Sequence, residues 1–106
     1  MAFSGGDYEE VGRWLENFAT SHAKRESPRV EATVDTGGAH EGHSYRLNLR
    51  LDDRRLPASG DAPLELAYPE VAQRRGSMAW CAELAERVRE LARRLVEQER
   101  GARKSA

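Results

Sequence analysis

One stripe of side chains constrains this chain more than any other feature. Cys81, Leu84, Val88, Leu91 and Leu95 recur at steps of three, four, three and four, with Ala85, Ala92 and Val96 widening the band. That spacing places them on one side of an α-helix. Glu83, Glu86, Arg87, Arg89, Glu90, Arg93 and Arg94 fill the remaining faces. The pattern predicts a helix from about Met78 to Glu99, capped by Ser77, and such a helix must cover something apolar.

What it covers is written upstream. Asp7 followed by Glu10 makes a capping box, and Tyr8, Val11, Leu15, Phe18 and Ala19 mark one face of a first helix, bordered by Trp14. Pro28 bars that helix from continuing. The period then falls to two. Val30, Ala32 and Val34 alternate with Glu31, Thr33 and Asp35, and Tyr45, Leu47, Leu49 and Leu51 alternate with Arg46, Asn48 and Arg50. Two half-buried strands joined by a short connection predict an antiparallel hairpin, with Arg46 and Arg50 across from Glu31 and Asp35. Residues 52–63 hold Pro57, Gly60 and Pro63 and read as a loop. Leu64, Leu66 and Tyr68 give a short third strand, which Pro69 ends and confines to an edge.

The expected fold is a single two-layer α+β domain over residues 1–106, in the order α-β-β-β-α. Both helices pack on one face of a three-stranded antiparallel sheet. The ordered core is expected at about 7–99, with flexible ends at 1–6 and 100–106. With 106 residues and 39% hydrophobic side chains, one modest core is what the chain can bury. The final helix, about 33 Å long, outruns a strand of about 23 Å. Leu95 and Val96 are therefore expected in an overhang, exposed at the end of the stripe.

Charge is uneven although the formal net value is only −1: residues 1–69 hold 8 basic and 12 acidic side chains, residues 70–106 hold 9 and 6. An acidic body with a basic last helix suits pairing with itself or with an acidic partner. Cys81 is the single cysteine, so no internal disulfide forms, and it reads as a small buried hydrophobe. The first residues lack a basic region and an apolar run, and no stretch has the length of a membrane span. A cytoplasmic location without membrane attachment is the resulting expectation.

Chemistry-bearing motifs are sparse. His40 and His43 flank Glu41 in a glycine-rich loop, but a zinc site needs three or four fixed ligands. No phosphate-binding glycine motif, nucleophile elbow or triad spacing occurs. Asp52-Asp53 runs straight into Arg54-Arg55 and reads as a solvated turn. Hence no enzyme activity, cofactor or metal is expected.

The element order, the Gly37-Gly38-Ala39-His40 loop and the Arg74-Arg75 pair before the last helix together resemble the layout of a double-stranded-RNA-binding domain. That resemblance implies contact with RNA through helix one, the 37–43 loop and the start of the last helix. Gly38 stands where that family has proline, and Met78-Ala79 where it has two lysines.

Two functions follow as expectations. The first is a non-catalytic protein-interaction or adaptor domain that self-associates as a homodimer or binds another protein. Leu91, Leu95 and Val96 would be the contact, with Arg87 and Arg94 setting register. The alternative is a nucleic-acid-binding module, with His40, Arg46, Arg50, Arg74 and Arg75 touching phosphate or another anion.

Overall fold

The computed structural model of the chain describes residues 7–36, 42–58 and 64–105. Seven elements follow one another: α1 (Tyr8–Glu26), β1 (Glu31–Asp35), β2 (Ser44–Leu51), β3 (Arg54–Leu56), β4 (Leu64–Ala67), α2 (Tyr68–Arg74) and α3 (Met78–Ser105). The α+β class and the antiparallel sheet are as the sequence predicts. Two elements are additional, one strand and one short helix.

The first helix begins where its capping residue places it, with the Glu10 amide donating to the Asp7 carboxylate at 2.7 Å. It stops at Ser27, before Pro28, whose ring disfavours helical backbone in the residue ahead of it. Ser77 accepts from the Trp80 amide at 3.3 Å and so caps α3.

β2 is the hub of the sheet. β1 pairs with it along one edge, Glu31 opposite Arg50 and Asp35 opposite Arg46. Its other edge is divided: β3 takes the C-terminal half, Leu49 opposite Leu56, and β4 the N-terminal half, Tyr45 opposite Leu66. The extra strand β3 arises because Leu51 and Arg54 pair across a two-residue turn in which Asp52 adopts a φ of +57°. Aspartate tolerates that left-handed conformation better than most residues. The extra helix α2 arises from Pro69, which ends β4 as expected but also occupies the first turn of a helix, where a missing N–H costs nothing. Val71 and Ala72 of α2 then enter the core, and Tyr68 leaves the strand assigned to it.

Both long helices pack against the face formed by Tyr45, Leu47, Leu49, Leu51, Leu56, Leu64 and Leu66. Glu31, Thr33, Asp35, Arg46, Asn48, Arg50, Arg55 and Glu65 alternate with these and take the opposite, uncovered face.

The overhang is where the expectation fails. Leu95 is 0% exposed and belongs to the core, together with Leu84, Val88 and Ala92. Met78 to Leu95 spans about 27 Å of helix, and eight residues of β2 span about 26 Å, so Leu95 falls over the end of the sheet. Glu99, one turn further, still reaches Arg29 at 2.6 Å. α3 continues beyond Glu99 to Ser105.

Candidate functional site

Aromatic residues on α1 follow two different fates. Tyr8, at its first turn, stacks on Tyr45 with ring centroids 4.7 Å apart, and Tyr68 packs edge-on against both rings. The Tyr8 hydroxyl donates to the Ser44 carbonyl at 2.6 Å, and the Tyr45 hydroxyl to the Tyr8 carbonyl at 2.7 Å. The Tyr8 and Tyr45 hydroxyls thus both have partners, as buried hydroxyls require. Burial pushes the Tyr45 phenol above its ordinary range, reinforced by Tyr8, Tyr68 and Asp7 and opposed by Arg75. Gly12 makes the packing possible: a Cβ there would sit 2.9 Å from the Tyr45 ring.

Further along α1 lies a different arrangement. Trp14, Phe18 and His22 recur every fourth residue, which stacks them along one side of the helix. Centroids are 5.0 Å apart for Trp14 and Phe18 and 4.6 Å for Phe18 and His22. Trp80 of α3 joins the row 6.5 Å from Trp14. All four side chains are half-buried, so the row forms a seam between α1 and α3 that is partly open to solvent. The Arg75 guanidinium lies 6.0 Å above the Trp14 ring, within cation–π range. The Trp80 indole N–H points to the Glu70 carboxylate at 3.3 Å.

The far end of the seam is charged. Glu26 accepts from Arg89 at 2.9 Å and from Arg93 at 3.2 Å, which fastens α1 to α3. Arg93, Val96, Glu97 and Arg100 surround the same carboxylate and form a shallow hollow. His22 has its Nδ1 shielded from solvent and without a hydrogen-bond partner. Burial first, then Arg25 and Arg89, hold its pKa below the ordinary histidine value, which favours the neutral ring.

The predicted contact residues are scattered by comparison. Leu91 and Val96 are half-buried against the core, and Leu95 is inside it. Arg87 and Arg94 are exposed and form no salt bridge among the described residues. Met78, at 88% exposure, is the one exposed large apolar side chain described.

The predicted anion-contacting residues do not converge either. Arg46 and Arg50 stand on the uncovered sheet face, Arg50 bonded to Glu31 at 2.9 Å and Arg46 with its Nε 3.8 Å from Glu65. Arg55, unread in the sequence, lies directly across from Arg50. Arg74 and Arg75 are at the α2–α3 turn on the helical side, with Arg75 engaged over Trp14. His40 lies outside the described residues, as do Gly37, Gly38 and Glu41.

No three His, Cys, Asp or Glu side chains among the described residues group to hold a metal ion, and no described helix is long and apolar enough to cross a membrane. Cys81 donates its thiol to the Arg75 carbonyl at 3.4 Å, and burial raises its pKa. The sequence reading missed the seam because it assigned Phe18 to the core and Trp14 to its border. The four-residue repeat Trp14–Phe18–His22 was the available signal.

Comparison with family models, with curated proteins and with solved structures finds no match to this chain.

Proposed function

We propose that this chain is a small non-catalytic protein-interaction domain that self-associates, with the seam between α1 and α3 as its contact surface. One observation carries the reading: both tryptophans and Phe18 gather in a single partly open row instead of being sealed in the core. Tryptophan is the residue most enriched where interfaces concentrate their binding energy. The surroundings suit a second copy. Arg75 and Glu70 border one end of the seam, Arg25 and Glu26 the other. A twofold partner running the opposite way sets each end, carrying one arginine and one glutamate, against the other, so both signs of charge meet at each end of an isologous contact. A net charge of −1 opposes such pairing very little.

This reading moves the contact from Leu95, which belongs to the core, to Trp14, Phe18 and Trp80. Sedimentation velocity up to roughly 500 µM, a range that reveals even weak contacts, provides the test. Wild type is expected to show a monomer–dimer equilibrium, and Phe18→Glu a folded monomer with unchanged circular dichroism. A wild-type chain that stays monomeric throughout the range removes the proposal.

A further inference from the structure

β1 is an edge strand: its far side carries no other strand among the described residues. Such edges invite pairing with another chain, because they present a row of unpaired N–H and C=O groups. Here two of those groups are already taken by α1. The Val34 amide donates to the Glu16 carboxylate at 3.1 Å, and the Thr20 hydroxyl donates to the Ala32 carbonyl at 3.4 Å. Ala32 and Val34 are two residues apart, so their backbone groups point the same way in the plane of the sheet. Since both find partners on α1, they are the outward-facing pair, and Glu31, Thr33 and Asp35 carry the bonds to β2.

We infer that Glu16 and Thr20 are a built-in block against strand addition, and that the strand they exclude is β1 of a second copy. Bulk does not already close the edge. A hollow of about 320 Å³, lined by Glu9, Gly12, Arg13, Glu16, Val34 and Thr36, opens at its C-terminal end and leaves room for approach there. Strand chemistry does not close it either, because Thr33 and Val34 suit a β-ladder. In an antiparallel pair of β1 strands centred on Thr33, Ala32 lies opposite Val34 of the other copy, and each would offer the bonds that Glu16 and Thr20 now occupy. Glu31 would lie opposite Asp35 of that copy, a like-charge contact that adds to the block. Successive turns of α1 thus divide their work, with Val11 and Leu15 held in the core and Glu16 and Thr20 turned to the sheet edge.

The experiment compares Glu16→Ala, Glu16→Gln and the double variant Glu16→Ala/Thr20→Val with wild type. Glutamine keeps an acceptor oxygen for Val34, so Glu16→Gln is expected to behave as wild type. In dilute solution Glu16→Ala is expected to speed hydrogen exchange of the Val34 amide roughly tenfold, the size expected for losing one bond to a charged group. At high concentration the double variant is expected to form species larger than the wild-type dimer, and with Phe18→Glu added it is expected to remain a dimer, whereas Phe18→Glu alone is a monomer. An unchanged Val34 amide overturns the inference. So does a double variant that sediments as wild type, or one that Phe18→Glu reduces to a monomer, because its association then belongs to the seam alone. Exchange is read on the single variant, so a failure of the double variant to fold leaves the test decisive.

Discussion

The tyrosine clamp and the tryptophan seam start from the same helix and solve opposite problems. In the clamp, three rings pack on one another, the Tyr8 and Tyr45 hydroxyls reach backbone carbonyls, and Gly12 yields the space. In the seam, four rings stand in a row with solvent along one side, and its one histidine has a ring nitrogen without a partner. Full burial of Tyr45 and the hydrogen bonds of Tyr8 and Tyr45 make the first a contributor to stability. Partial exposure makes the second a surface that gains from being covered. The contrast lies in polar satisfaction, since ring size and helix position are similar.

If that division is right, substitutions on the two sides should separate stability from association. The largest effect is expected for Tyr45→Ala. It removes a fully buried ring and a hydrogen bond, and about 3–5 kcal/mol of unfolding free energy should be lost in urea titrations. Gly12→Ala presses a methyl group against the same ring, and about 1–3 kcal/mol is expected by the same measurement. Trp14→Ala should cost less than Tyr45→Ala because the indole is only half-buried, yet it should abolish the dimer in sedimentation experiments. Equal stability losses at Trp14 and Tyr45, with association untouched, would erase the distinction between the two regions.

A smaller effect concerns pH. Because the folded pKa of His22 lies below the unfolded value of 6.5, the folded state binds fewer protons there. Its contribution to stability is fully present above the unfolded pKa and is lost as the pH falls below about 6.5 toward the folded value. Wild type should therefore lose stability between pH 7 and 5.5 more steeply than His22→Gln. Parallel curves for the two proteins would show that the ring titrates as freely as it does in the unfolded chain.

The sequence revealed most where a periodic pattern and a capping residue agreed. Asp7, Ser77 and the alternation through Tyr45 to Leu51 each marked a real boundary or face. It misled at residues whose chemistry permits two outcomes. Asp52-Asp53 lacks the glycine that announces a tight hairpin, yet Asp52 adopts the left-handed conformation and Leu51 pairs with Arg54. Pro69 signals a strand end and a helix start with equal force, and only the first was read. Leu95 was misplaced through arithmetic of lengths: the added strand β3 and the Arg29–Glu99 contact extend the surface that α3 covers. The seam depended on which partly apolar face meets solvent, and periodicity alone does not decide that when large rings border the core-facing stripe of a helix.

β2 also has a kinetic meaning. Every described strand pairs with it, and two of those pairings, β1–β2 and β2–β3, join neighbours in the chain. Such local loops close quickly and at low entropic cost. The clasp of Glu26 with Arg89 and Arg93 instead joins residues more than sixty apart. Contacts so distant in sequence are the slow ones. The order of events should therefore be sheet first and helical cover last, with the apolar side of β2 briefly bare until α3 arrives. Mutations in the β2 ladder should slow folding, whereas loss of the Glu26 clasp should mainly hasten unfolding.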